Sequence, residues 1–264
     1  MTRTNMLRVL ALLATVCLAA APLVADEDYV ATSNGSFIEY NTLTGAYTLL
    51  GTNATVLYGM GYSAGVLYAN DSGNSPNVGF YKVNSSNGGL TTVGNISGAT
   101  SGTGAVTAPI GGGTLYFFDH SNQLFTIDPN TGAATTVGPL GFTVAGAWDM
   151  EFAANGQLYA TSDELFYRID PTTGAATLLG NSGAELQGMI AGEGTLYGFS
   201  GTNMYSIDLT DGALTFVRNT PAGLGNFEGG TPVVTGSTPE PGTLLLVGTG
   251  ILGLLRAVRR RVNL

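Results

Sequence analysis

The sequence predicts an all-β protein: a five-bladed β-propeller of four-stranded blades, with an N-terminal signal peptide and a C-terminal transmembrane sorting helix. Three observations carry this. A unit of about 42 residues recurs five times between residues 26 and 237. Within each unit apolar and polar residues alternate with the period of two that marks a strand with one buried face. Each unit also carries the same hairpin turn at the same place.

Composition narrows the function. The chain has 264 residues, of which 44% are hydrophobic, 10% are charged and 40 are glycine. The charged share is far below the roughly 25% of ordinary soluble domains. Six of the nine bases sit at the two ends. Residues 26–240 hold all eighteen acids against Lys82, Arg168 and Arg218, a net charge of −15. Nucleic acid is excluded as a partner, because phosphate needs a basic surface. Contact with a membrane is left to the terminal segments. Twelve tyrosines, eleven phenylalanines and many aliphatic residues supply a core, which excludes a disordered chain.

Residues 1–25 read as a secretory signal peptide. Arg3 and Arg8 precede the uncharged run Val9–Ala21, and acidic Asp26-Glu27-Asp28 follows. Cleavage by signal peptidase is expected after Ala25 rather than after Ala21, which Pro22 follows directly. An uncleaved anchor is the alternative. Cys17, the only cysteine, lies inside this segment. The mature chain therefore has no disulfide and must be held by packing.

Residues 26–237 form the repeat body. Asp or Asn is followed four residues later by Gly: Asn41 by Gly45, Asn84 by Gly88, Asp128 by Gly132, Asp170 by Gly174 and Asp208 by Gly212. Threonine stands three past each glycine, and Leu50, Val93, Val137, Leu179 or Val217 stands five past it. In Asp170-Pro171-Thr172-Thr173-Gly174 the carboxylate caps the turn, Pro171 presets φ, and Gly174 takes the left-handed position, with a glycine bulge expected. These ten residues are assigned a structural role; the alternative, calcium held by the recurring acids, suffers because two copies carry Asn. Upstream of each turn lies an alternating strand such as Tyr167-Arg168-Ile169, and before it a strand around Tyr29, Tyr68, Tyr116, Tyr159 or Tyr197. Linkers such as Ala147–Phe152 supply a fourth strand. A β-solenoid is the alternative architecture, but its repeats are shorter. The first copy begins at Asp28-Tyr29 without that fourth strand, and residues 223–234 follow the last copy. This tail is expected to complete blade one and latch the ring. Asn70–Asn77 reads as a surface insertion.

The repeat loosely resembles quinoprotein-like and other bacterial propeller repeats that carry an Asp-x-x-Thr-Gly hairpin. Their tryptophan docking pattern is absent, since Trp148 is the only tryptophan, so no quinone cofactor is implied.

Residues 238–264 read as an address. Pro239-Glu240-Pro241 precedes an uncharged stretch, 242–255, and then Arg256, Arg259, Arg260 and Arg261. Fourteen helical residues span about 21 Å, short of the roughly 30 Å hydrocarbon core, but the flanking arginines can snorkel. The basic end predicts a cytoplasmic C-terminus. Tripeptide, span and arginines together resemble the PEP-CTERM sorting signal of Gram-negative bacteria. The resemblance implies recognition of Pro239, Glu240 and Pro241 by an exosortase-type protease. It further implies transient inner-membrane anchoring, then release to the outer surface or extracellular matrix, alongside exopolysaccharide and biofilm components. A plain tail anchor is the alternative.

No catalytic residue is assigned. His120 lies in the expected tip of a hairpin and reads as an exposed turn histidine. No Cys or His cluster marks a metal site, and calcium stays open because it needs only oxygen ligands. Asp149 and Glu151 alternate onto one face of a strand near the expected channel, with Gln187 and Glu228 in comparable segments. They read as polar channel lining around water. The expected function is a binding or structural module without cofactor; the alternative is a calcium-dependent extracellular hydrolase, lactonase or lyase working through the channel. The intact mass of protein recovered from cell surface and medium is expected to show loss of both ends, near Ala25 and near Pro239. Retention of 242–264 would make it a tail-anchored envelope protein instead.

Overall fold

A computed structural model describes residues 27–71, 78–98 and 104–233; the signal and sorting segments lie outside them. The described residues contain strands and turns but no helix, hence none long and apolar enough to cross a membrane.

Twenty strands form five antiparallel four-stranded sheets. Blade one holds β1 (Glu27–Thr32), β2 (Ser36–Asn41) and β3 (Tyr47–Thr52). Blade two holds β4 (Leu57–Ser63), β5 (Val66–Asp71), β6 (Gly79–Val83) and β7 (Leu90–Asn95). Blade three holds β8 (Ala105–Thr107), β9 (Leu115–Phe118), β10 (Gln123–Ile127) and β11 (Ala134–Pro139). Blade four holds β12 (Trp148–Phe152), β13 (Leu158–Ser162), β14 (Leu165–Ile169) and β15 (Ala176–Asn181). Blade five holds β16 (Gly188–Gly192), β17 (Thr195–Ser200), β18 (Asn203–Ile207) and β19 (Leu214–Asn219). The last strand, β20 (Phe227–Pro232), returns to pair with β1 and becomes the innermost strand of blade one. The tail therefore latches the ring. Val233 N–H donates to Glu27 O at 2.8 Å, and Ser33 N–H to Asn226 O at 2.8 Å. Strands β4, β8, β12, β16 and β20 meet one another at the centre. Strands β3, β7, β11, β15 and β19 form the rim.

The core lies between blades. Five apolar clusters each join residues of two neighbouring sheets, the last joining blade five to blade one through Val30, Ile38, Phe199 and Phe227. The recurring tyrosines are mostly core: Tyr29, Tyr68, Tyr159 and Tyr197 are buried. Three of them stack on a phenylalanine of the next strand, Tyr29 on Phe37, Tyr68 on Phe80 and Tyr159 on Phe166, each at 5.3 Å. Each fully buried phenylalanine contributes about 1.5–3 kcal/mol of apolar burial.

The turn geometry repeats as closely as the sequence. The turn glycines Gly45, Gly88, Gly132, Gly174 and Gly212 take φ between +70° and +81°. Each donates its N–H at 2.7–2.8 Å to the carbonyl four residues earlier, on Asn41, Asn84, Asp128, Asp170 or Asp208. That Asp or Asn accepts, on its side-chain oxygen, the N–H two or three residues on: Thr44, Ser86, Asn130, Thr172 and Thr210. The glycines are also contact points, because each turn sits against the preceding blade. Gly45 lies on Arg218, Gly88 on Phe37, Gly132 on the Asn95 carbonyl, Gly174 on Gly138 and Gly212 on Phe166.

The rim strand then bulges. In every blade one rim residue has no partner across the hairpin, and it is Leu50, Val93, Val137, Leu179 or Val217. The bulge turns that side chain inward, and all five pack against an inter-blade cluster. This is why Leu or Val recurs five past the glycine.

One residue beyond the bulge, four blades carry a glycine: Gly51, Gly94, Gly138 and Gly180. The turn of the next blade lies on it. A Cβ there would stand 2.0–3.1 Å from the carbonyl oxygen of Asn87, Thr131, Thr173 or Asp211. In blade five the position holds Arg218, whose guanidinium donates to Leu43 O in the turn of blade one. The closing interface thus uses an ionic side chain where the others use bare backbone.

Three positions depart from the expectations. Asn70 belongs to β5, not to a surface insertion, and is fully buried. Its Oδ1 accepts the N–H of Val106 at 2.9 Å, and its Nδ2 donates to Gly104 O at 2.6 Å, so it serves the bare edge of β8. His120 is half-buried rather than exposed: its Nδ1 lies 3.2 Å from Val144 O, and its ring meets Trp148 edge to face at 5.6 Å. The bulge expected at the turn glycines lies further on. Gly45, Gly88, Gly132, Gly174 and Gly212 stand in the loop before the rim strand, where their N–H groups close the turn, and the register shifts only at the Leu or Val five residues later. The cause is the contact with the preceding blade, which occupies the turn, while the inter-blade cluster has room for one extra side chain.

Deleting residues 224–233 removes β20 and opens the ring. Loss of Phe227 alone is worth about 3–5 kcal/mol, so Tm should fall by roughly 10 °C or more in calorimetry; an unchanged Tm would refute the latch. Gly138→Ala should cost at least about 1–3 kcal/mol in denaturant unfolding, because its Cβ meets backbone that cannot step aside.

Candidate functional site

The inner strands start with comparable residues: Tyr58-Gly59-Met60, Trp148-Asp149-Met150, Gln187-Gly188-Met189 and Glu228-Gly229-Gly230. The middle position decides how closely the strands approach. A Cβ on Gly59 would stand 2.2 Å from Val106 N, and one on Gly229 would stand 2.2 Å from Tyr58 O. The channel is therefore tightly closed by backbone where these glycines face a neighbour.

Where an acid stands instead, it bridges. Asp149 is buried; one carboxylate oxygen accepts Met150 N–H at 2.7 Å and the other accepts Met189 N–H from the bare edge of β16. Glu151, also buried, accepts the Thr107 hydroxyl of β8 at 2.7 Å through Oε2, while its Oε1 has no hydrogen-bond partner among the described residues. Asp149 thus ties blade four to blade five, and Glu151 ties it to blade three. Both carboxyls are enclosed between strands rather than open to a water-filled channel. Burial pushes both well above the usual carboxylate range, against the donors that pull them down; Glu228 adds to the upward push on Asp149, and Asp149 and Asp28 add to that on Glu151.

The first position of each segment lies nearer the mouth, where Tyr58, Trp148 and Gln187 are half-buried and Glu228 is buried. Tyr58, Trp148, Gln187 and Glu228 gather over the ring axis with Gly146 and Ala147 and enclose a cavity of about 180 Å³. Four blades contribute one side chain each. Two of these are aimed by bulges: Tyr58 is the unpaired residue between Leu57 and Gly59, and Glu228 that between Phe227 and Gly229. The Tyr58 and Trp148 rings lie 6.4 Å apart and inclined by 27°. Phe118 and His120 brace Trp148 edge to face, each at 5.6 Å. Gln187 Oε1 accepts Gly201 N–H at 2.9 Å, which holds this lining side chain in place. Burial raises Glu228 to about 7.

Sequence reasoning singled out Asp149, Glu151, Gln187 and Glu228, and the fold brings them to the inner ring, at two depths; Trp148 serves there only as an argument against a quinone cofactor. The same reasoning missed Tyr58. The signal was present: aligning the segments on Met60, Met150 and Met189 puts Tyr58 beside Trp148 and Gln187. The ten turn residues stand elsewhere. Asn41 and Gly45, Asn84 and Gly88, Asp128 and Gly132, Asp170 and Gly174, and Asp208 and Gly212 lie at the hairpins leading to the rim strands, and none of them lines this cavity. Among the described residues no three acids or histidines converge closely enough to hold a metal ion. The sorting residues Pro239, Glu240 and Pro241 and the arginines Arg256, Arg259, Arg260 and Arg261 lie outside the described residues.

Residues 29–222 match a family described as a repeat of unknown function (DUF6923), and residues 237–261 match the PEP-CTERM protein-sorting motif. That motif indicates an exported chain processed by an exosortase. No curated protein matches the chain. Among solved structures it is similar to a structural genomics protein of unknown function from Bacteroides thetaiotaomicron, 16% identical with a TM-score of 0.53 over 78% of this chain and 64% of that one. The chain thus spans less than two thirds of that protein's length. It is also similar to a symmetrical protein described in terms of de novo evolutionary emergence, 18% identical with a TM-score of 0.51 over 77% of this chain and 93% of that one. These likenesses concern the fold alone.

Three buried acids with raised pKa values set a pH dependence. The native ring binds more protons than the unfolded chain between the ordinary carboxylate range and the raised values, so stability falls as pH rises across that window. For Glu228 the window runs from 4.5 to about 7. Tm should therefore be higher at pH 5 than at pH 8, and Glu228→Gln should flatten part of the difference.

Proposed function

The chain belongs to the family of the repeat of unknown function DUF6923, and from that premise we propose that it is an exported binding module that grips a partner at the mouth of its ring and performs no chemistry there. It acts at the outer cell surface or in the extracellular matrix, after signal peptidase and an exosortase-type protease have removed its ends. Its partner is exopolysaccharide or another matrix component.

The observation that carries this reading is the separation of the inner-ring side chains by depth. The acids that hydrolysis would need, Asp149 and Glu151, are enclosed and bridge neighbouring strands. The residues that face the cavity are an aromatic pair, an amide and one carboxyl. Aromatic faces with a few polar groups suit recognition of a sugar ring, whose faces are apolar and whose edges are hydroxyls. The sorting motif supports this reading in that it marks an exported chain processed by an exosortase.

Retention of the purified protein on exopolysaccharide from its own cells tests this. Tyr58→Ala and Gln187→Ala should each weaken retention about tenfold, while Tm stays within a few degrees of the parent. Retention that neither change alters would overturn the mouth as the binding site.

A further inference from the structure

The proposed site has a chemistry more specific than sugar recognition. We infer that the mouth of the ring takes an organic ammonium group, primary or quaternary, carried on a molecule about the size of one sugar ring. This rests on the reading of the mouth as the ligand site and names what it recognises.

Size comes first. A cavity of about 180 Å³ holds the volume of about six water molecules, which is the space of one small ring or one substituted ammonium. A polymer can present only one of its units there at a time.

Charge comes second. Glu228 reaches the cavity from its bulge, and among the described residues none donates a hydrogen bond to its carboxyl. Its neighbours offer no cation. Tyr58 and Gln187 are neutral, Asp149 beneath it is another acid, and Glu185 lies beside Ala147 with its carboxylate 3.4 Å from that N–H. His120 packs on Trp148, and its Nδ1 faces Val144 O. The three bases among the described residues, Lys82, Arg168 and Arg218, stand on β6, β14 and β19, none of them an inner strand. The mouth thus has an acid with no base to meet it.

The aromatic pair comes third. Tyr58 and Trp148 present π-systems from two blades to the same small space. A cation there lies within the distance of about 6 Å over which ring quadrupoles attract it. A neutral sugar would use the rings and could donate hydroxyls to Glu228 but would leave its charge uncompensated. An anion would meet both Glu228 and a body of net charge −15. An ammonium group uses the rings and the carboxyl together. Its source can be an amino sugar with a free amine or a small quaternary amine such as choline.

Trp148 is the only tryptophan in the chain, so its fluorescence reports this cavity directly. The purified protein is titrated in phosphate buffer with glucosamine, choline, N-acetylglucosamine and glucose. Glucosamine or choline should shift the emission, and the two neutral sugars should not. A response to glucosamine alone points to an amino-sugar polymer, and one to choline alone to a quaternary amine. Choline, whose charge does not titrate, should bind about tenfold more tightly at pH 8 than at pH 5.5, as Glu228 ionises, and more weakly with added salt. Glu228→Gln should remove the pH dependence and weaken binding about tenfold, whereas Asp170→Asn, in a turn that does not line the cavity, should keep both, with unfolding temperatures showing that each variant is folded. A response to neutral sugars without one to ammonium compounds overturns the inference and leaves the mouth a sugar site. No response to any of the four also overturns it, and polysaccharide retention then decides separately whether the mouth binds at all.

Discussion

The blades of this ring touch backbone to backbone, and the rest of the structure follows from that contact. Neighbouring sheets come close enough at the centre and at the rim that a single Cβ would collide with a carbonyl or an amide. Gly59 and Gly229 allow the approach inside; Gly51, Gly138 and Gly180 allow it outside. Such proximity buries the free edges of five inner strands. A buried backbone N–H without a partner costs about 1–3 kcal/mol, so partners have to come from side chains. Asn70 supplies them to β8 and Asp149 to β16. The polar residues of the inner ring are therefore structural first.

That assignment changes what the buried acids mean. A carboxyl in a propeller channel invites a catalytic or metal-binding reading. Here the deeper two are enclosed between strands and hold blade four to both of its neighbours. Their raised pKa values are a consequence of enclosure among other acids. The binding site we propose lies in the layer nearer the mouth, where side chains of four blades meet. The two bulges matter at this level. An extra residue in an inner strand has no rung of the ladder to occupy, so Tyr58 and Glu228 turn toward the axis instead of into a blade face.

Closure couples this layer to the stability of the ring. The inner strand of blade one is the last strand of the ring, so the first and last strands, β1 and β20, share a sheet. Glu228 lies on that same strand. Any ligand that engages it also holds the latch, and ligand binding and ring stability are then linked quantities. Arg218 secures the same junction from the rim, at the one position where the repeat abandons glycine.

Much of this was legible in the sequence. The five-fold register of Asp or Asn with Gly fixes the blade count, because a turn needing φ > 0 tolerates few residues and so leaves a visible mark. The missing strand before Asp28 and the surplus strand after Gly223 fix the latch, because strands must be counted in fours. Leu or Val five past the glycine was visible as a pattern, yet its cause, a bulge that turns one rim residue inward, appeared only with the pairing register. Likewise the turn glycines were legible as turn formers but not as seats: that Gly88 rests on Phe37 and Gly212 on Phe166 depends on the neighbouring blade. The depth of each inner-ring residue was not legible at all. Asp149 and Trp148 are neighbours in one segment, but one is sealed against β16 and the other faces the cavity. Asn70 looked like the start of a loop and is buried as a bridge. Local sequence records what the backbone must do at each residue. Which side chain meets which depends on how closely five sheets approach around an axis, and that distance is a property of the closed ring.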